Sequence, residues 1–298
     1  MAGSTDRTGD DRPDGWHWTD YWAAGRQDVM TVDGAGQGAG ADTFGAWKAW
    51  LSALPDGASI LDLATGSGQI PRHTLAVAEK TGKSFHVVGV DYAELKPDPA
   101  LQAAGIVLIG GVRIERLPFP GGRFTALTSQ YGIEYADQGD ALDEAGRVLA
   151  PGGVACMLIH HADSEITRQG VLRLNAYDAV MGDGEALRLG RRAFATRMTN
   201  PEGPEVEASG RAFRQAILDL ARRTGPTPPF ATVRYLVSYL NDLAMGVDRF
   251  SPLSALQCLD GFEHGNAAWR ERQACQVAAA LTRDGMNAFI ARAMQAGL

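Results

Sequence analysis

No stretch constrains this chain more than Ala58 to Pro71, ASILDLATGSGQIP. An apolar run holding one acid, Ile60-Leu61-Asp62-Leu63, breaks into Thr65-Gly66-Ser67-Gly68, and helical periodicity begins at once. The order is strand, glycine turn, helix. Glycines let the backbone approach a ligand where a Cβ would clash, and the first turn of a helix offers unpaired N–H groups to a carboxylate or phosphate. A small-molecule cradle is the expectation. A dinucleotide fingerprint would need a third glycine, but Gln69, Ile70 and Pro71 follow Gly68, and no Gly-Lys-Ser/Thr phosphate loop is present.

Three further stretches follow in order. Residues 85–91, FHVVGVD, read as a second buried strand ending at Asp91, where a carboxylate beyond the strand end can accept both hydroxyls of a ribose. Residues 115–135 read ERLPFPGGRFTALTSQYGIEY, and residues 144–154 read EAGRVLAPGGV. Together with Asp62-Leu63-Ala64-Thr65-Gly66-Ser67-Gly68, they resemble the motifs of class I S-adenosylmethionine (SAM)-dependent methyltransferases. The likeness is to the small-molecule type, such as the enzymes of ubiquinone and menaquinone biosynthesis, and spans residues 58–160.

The resemblance implies an α/β fold, a Rossmann-like parallel sheet of order 3-2-1-4-5 flanked by helices, with SAM as cofactor. It implies cofactor contacts from Asp62, Ala64, Thr65, Gly66, Ser67, Gly68, Asp91, Tyr92, Arg113, Ile114, Ser129 and Gln130. Arg113 stands where the family usually has an acid for the adenine, which leaves the backbone of Ile114 or the carboxylate of Glu115 to serve. Thr125 likewise replaces a usual acid.

With 298 residues, 45% hydrophobic and 21% charged, the chain can bury one large core or two modest ones. A formal net charge of −7 and the lack of a Lys/Arg stripe argue against nucleic acid as partner. Cys156, Cys258 and Cys275 are dispersed, without C-x-x-C spacing, which suits free thiols in a reducing compartment and gives no structural zinc site. The opening MAGSTDRTGDDRPDG lacks the basic and then apolar run of a signal peptide, so the expected location is the cytoplasm, without a membrane partner.

Four regions are expected: a disordered tail at 1–15, a helical lid at 16–57, the SAM-binding core at 58–162 and a helical cap or substrate region at 163–298. In the lid, Trp18, Tyr21 and Trp22 stand at i, i+3, i+4 spacing. Tyr21 and Trp22 would lie over the cofactor, where aromatic faces attract a sulfonium and exclude water; a plain apolar plug is the other reading. The glycine-rich stretch 31–42 can be a hinge or a passive linker, and 43–54 reads as a helix. In the core, strands are expected at 105–109, 123–130 and 153–160. The cap shows helical periodicity throughout, with a short strand an option at 208–214 and no antiparallel pair closing the sheet.

The chemistry should lie beyond strands four and five, where Tyr131, Glu134, Tyr135, His160 and His161 fall. Tyr131, Glu134, His160 and His161 are the catalytic candidates, with a histidine as base; the alternative is one packed and one solvated histidine. His160, His161 and Asp163 lack the further ligands a metal would need, so none is expected. The reading is methyl transfer to an O, N or C nucleophile of a small metabolite, with a homodimer one option for the helical half. A non-catalytic SAM-binding protein is the alternative, and a nicotinamide oxidoreductase is disfavoured by the missing third glycine.

Overall fold

A computed structural model describes residues 15–24, 40–96, 98–182, 184–224 and 231–298. The tail before Gly15 and the glycine-rich stretch at 31–39 lie outside the described residues.

Helices α1 (Trp16–Ala23) and α2 (Gly40–Ala53) precede the first strand, β1 (Ala58–Leu63). Alternation then follows through α3 (Gln69–Thr81), β2 (Phe85–Val90), α4 (Pro99–Ala103), β3 (Val107–Ile109), β4 (Phe124–Gln130), α5 (Gln138–Val148) and β5 (Leu149–Leu158). The sheet is parallel throughout, in the order β3-β2-β1-β4-β5. β1 is central: Ile60 pairs with Val87 on one side and Ala126 on the other. A strand covered on both faces must be apolar along its length, which is why 58–63 reads as an almost unbroken hydrophobic run.

Local chemistry sets the element ends. Helix α3 begins after Gly68 at φ 86° and stops at Gly82 at φ 70°, left-handed conformations that glycine adopts without strain. Asp98 caps α4, its side chain accepting the Ala100 and Leu101 amides, and Asp137 caps α5. Strand five departs from expectation. It starts at Leu149, pairs with Phe124, shifts register around Gly152 (φ 78°) and resumes at Val154 opposite Ala126. It ends at Leu158, so His160 stands beyond the strand.

After β5 come α6 (Glu165–Met181), α7 (Glu185–Thr199), α8 (Pro204–Thr224), α9 (Ala231–Met245), α10 (Pro252–Ala279) and α11 (Arg283–Gln295). The strand entertained at 208–214 is instead the middle of α8, where Phe213, Ile217 and Leu220 face a helical core shared with Phe194, Leu236, Leu240 and Leu259. Tertiary packing on that core overrides the local strand signal. Helix α11 returns to the sheet: Phe289 is buried with Leu127, Leu142 and Val148, and Arg292 pairs with Asp143 of α5. Just before it, Leu281 bridges the sheet edge, donating to His160 O at 2.9 Å and accepting from Ala162 N at 2.8 Å.

Candidate active site

The glycine turn and Asp91 meet beyond the ends of β1 and β2. The Gly66 amide donates to Asp91 Oδ2 at 2.7 Å and the Ala93 amide to Oδ1 at 2.9 Å, which fixes the carboxylate at the end of β2. Burial pushes the Asp91 carboxyl up to about 6, against these two bonds, which favour the ion. Asp62 is also buried; desolvation raises it to about 7 despite the 2.7 Å hydrogen bond from Thr128 Oγ1, and the charge of Asp91 adds to the rise. Ala64 (φ 55°) and Tyr131 (φ 54°), at the ends of neighbouring strands β1 and β4, both hold left-handed conformations costly for their residue types. Strain of this kind persists only where the surroundings over-determine it. Gly132 makes it feasible, because a Cβ there would collide with Ala64.

Above these strand ends lies a cavity of about 330 Å³, within the size range of small-molecule sites, about 300–1,000 Å³. Of the expected cofactor contacts, Asp62, Ala64, Thr65, Ser67, Asp91, Tyr92, Arg113, Ile114, Gln130 and Trp22 line it. Gly66 and Gly68 shape it from beneath: a Cβ on Gly66 would strike the Trp22 indole, and one on Gly68 would strike Leu101. Two expected contacts turn out to be supports. Ser129 is fully buried, donating to Leu63 O at 3.1 Å and accepting from Ile133 N at 3.1 Å. Tyr21 faces α10, under the Arg272 guanidinium at 4.7 Å, because one face of α1 must anchor the helix while the other covers the cavity.

That anchoring is specific. Arg272 Nη1 donates to His17 O at 2.8 Å, and His264 Nε2 lies 2.5 Å from Asp20 Oδ2. Trp18 and Trp22, 19° from parallel with centroids 6.4 Å apart, form the roof. At the β2 and β3 end, Arg113 lies 5.2 Å from the Tyr92 ring and holds Glu115 at 3.1 Å, so Arg113, Ile114 and Glu115 all reach the cavity. Thr125, by contrast, bonds across the sheet with the backbone of Ser59.

The four catalytic candidates separate. His160 and Tyr131 line the cavity, their rings 4.4 Å apart. Glu134 lies behind His160, fully buried, its Oε1 receiving both the His160 amide (2.9 Å) and ring Nδ1 (2.7 Å). His161 is a correction: it does not line the cavity, and its Nδ1 accepts the Asp163 amide at 3.1 Å at the turn into α6. The chain direction reverses there, so the second histidine points away. Tyr131 and Tyr135 phenols are both raised, by burial first and then by the Glu134 charge, so they stay neutral near pH 7. Among the described residues, no group of three His, Cys, Asp or Glu is placed to hold a metal, and no helix is long and apolar enough to cross a membrane.

Glu115, the alternative to an acid at 113, does line the cavity; the residues that motif spacing missed include Gln69, Gly132, His17, and Cys275 and Gln276 from α10. Gln69 had a local signal, as the first residue of α3; its Oε1 accepts from Gln130 Nε2 at 2.8 Å, while Trp47 donates to Gln130 Oε1 at 2.5 Å. Cys275 and Gln276 had none, because α10 reaches the site only through folding.

Such a cavity fits SAM on its own evidence. Asp91 offers an acceptor pair to a ribose, Ser67 Oγ is buried without a partner at the glycine turn, and two indoles suit a sulfonium. Residues 60–153 match the family described as a methyltransferase domain. The chain is 36% identical over 110 residues to a ubiquinone/menaquinone biosynthesis C-methyltransferase of Geobacter sulfurreducens, covering 35% of this chain and 42% of that protein. It is 35% identical over 114 residues to a 2-phytyl-1,4-naphtoquinone methyltransferase of Thermosynechococcus vestitus, covering 37% and 48%. It therefore spans less than half the length of these relatives. Among solved structures it is similar to a SAM-dependent methyltransferase from Mesorhizobium loti, at 25% identity, 41% and 56% coverage and a TM-score of 0.31. Residues 60–153 form a methyltransferase domain of the class I, SAM-dependent type.

Proposed function

We propose, from the premise that residues 60–153 are a class I methyltransferase domain, that this chain transfers a methyl group from SAM to a small-molecule metabolite in the cytoplasm. The observation that carries the reading is the joined cradle, Gly66 N–H on Asp91 Oδ2, opening into a cavity that also holds His160. SAM supplies an activated methyl group on a positively charged sulfur. The chain's own part is to hold the two reactants in line and to keep water out. Asp91 and Ser67 would hold the adenosyl and methionine parts, Tyr92, Arg113 and Ile114 the heterocycle, and Trp18 and Trp22 the roof. A cavity roofed by α1 and α10 suits an acceptor of metabolite size, and the net charge of −7 agrees with a partner other than nucleic acid.

The test is calorimetric titration with SAM and with S-adenosylhomocysteine, followed by transfer of labelled methyl groups into a metabolite extract. Binding of both with label in a small molecule supports the reading. Binding without transfer would mark a SAM-binding protein instead, and binding of neither would overturn the cofactor assignment.

A further inference from the structure

Resting on that reading, the geometry also points to the class of acceptor. The sheet order puts Asp91, Tyr92 and Ile114 beyond β2 and β3, at one end of the cavity, and Tyr131, Tyr135 and His160 beyond β4 and β5, at the other. The second end is walled by rings. Tyr131 lies 4.4 Å from the His160 ring, Tyr135 6.0 Å from it at 88°, and Trp18 5.6 Å from Tyr135 at 87°. Walls of this kind select a flat conjugated molecule.

Two imidazoles line the cavity, His17 on the α1 side against Cys275 and His160 beyond β5, and of these His160 is the one oriented from behind by a carboxylate. Glu134 Oε1 accepts from both His160 N–H and Nδ1, and a carboxylate can only accept, so Nδ1 carries the ring proton and Nε2 keeps its lone pair. His160 lines the cavity while Glu134 does not, and no bond to Nε2 is found among the described residues. Among the described residues Glu134 Oε2 is buried without a partner, and the hydrogen bonds that this carboxylate accepts come from His160. The neighbouring phenols, kept neutral by burial and by the Glu134 charge, do not compete for the role.

We propose that the acceptor is an aromatic hydroxyl, that His160 Nε2 removes its proton, and that Glu134 is the positioning residue that fixes the imidazole. In this step the acceptor O–H bond breaks, the proton passes to Nε2 and the electron pair stays on oxygen, ready to bond to carbon. The buried carboxylate compensates the imidazolium as it forms, and the proton then leaves to solvent. A phenol, ordinarily near 10, lies within reach of an imidazole base where an aliphatic alcohol does not.

The experiment uses 4-nitrophenol, whose phenolate absorbs in the visible, with the full chain saturated in S-adenosylhomocysteine. Wild type should develop the bound-phenolate band below the pH at which the free phenol ionises. His160→Gln should lose the band, and Glu134→Gln should lower it at least about tenfold while moving its pH midpoint. In a Glu134→Gln sample, ¹⁵N spectra should show the His160 proton moved from Nδ1 towards Nε2, a change that a merely structural role would not produce. Retained S-adenosylhomocysteine binding certifies that each variant is folded. Wild-type binding of S-adenosylhomocysteine with no phenolate band, or with an equal band in His160→Gln, overturns this proposal alone; failure to bind S-adenosylhomocysteine overturns the function on which it rests.

Discussion

Asp91 Oδ2 lies 2.7 Å from the Gly66 amide, so the carboxylate that ends β2 is held by the glycine turn that ends β1. Two motifs 25 residues apart become one surface. Replacing Asp91 by Ala should weaken S-adenosylhomocysteine binding by about 1–3 kcal/mol, the cost of losing charge-assisted bonds in a buried site. Calorimetry on the variant checks this. An unchanged affinity would remove Asp91 from the ribose site.

Affinity should also depend on pH. Asp91 and Asp62 are raised to about 6 and about 7 by burial, and a protonated Asp91 no longer offers two acceptors. Affinity for S-adenosylhomocysteine should therefore rise between pH 5 and pH 8. Their effect on stability has the opposite sign. A carboxyl raised on folding contributes fully below its unfolded value, near 4, and that contribution is lost as pH climbs through 6 and 7. Calorimetric Tm values should accordingly fall over this interval, and Asp62→Asn should flatten the slope. A binding curve level from pH 5 to 8 would contradict the first expectation.

Gly66 has φ 52°, and its missing side chain is replaced by the Trp22 indole. Gly66→Ala should reduce S-adenosylhomocysteine affinity by tenfold or more, about 1.4 kcal/mol, through both the backbone strain and the displaced roof. Adding Trp22→Ala should relieve only the steric part. If the single variant binds like wild type, the close packing of α1 on the glycine turn is refuted.

Phe289 sits in the sheet core on a helix that follows the entire cap. Phe289→Ala should cost about 3–5 kcal/mol in urea denaturation, the range for emptying a buried aromatic site. A loss below about 1 kcal/mol, the scale of a surface change, would show that α11 does not complete the core.

What could be read along the chain was whatever depends on neighbours in sequence. The apolar run at 58–63, the glycines at 66 and 68, the acid at 91 and the helical spacing of Trp18, Tyr21 and Trp22 each follow from backbone sterics or periodicity over a few residues. Hence the alternation of strands and helices and most of the cradle were legible, while the strand order came from the resemblance of the motifs to class I methyltransferases. The start of β5 at Leu149 was hidden by Pro151-Gly152-Gly153, which read as a turn but lie within a strand whose register slips. The assignment of 208–214 to a helix was settled by the core that Phe213 joins.

Other features arise between distant segments and leave no local trace. Tyr21 and Trp22 are adjacent in sequence, yet one faces α10 and the other the cavity, because a helix between two surfaces divides its faces between them. Cys275 and Gln276 enter the site only when α10 folds across it. His160 and His161 were equivalent as letters; Glu134, in the turn that follows β4, chose one of them. The chain by itself determined the cradle, since left-handed turns and buried strands are dictated by the residues that form them. Tertiary structure alone decided which histidine faces the cavity, since only folding brings a buried carboxylate 26 positions away against its ring.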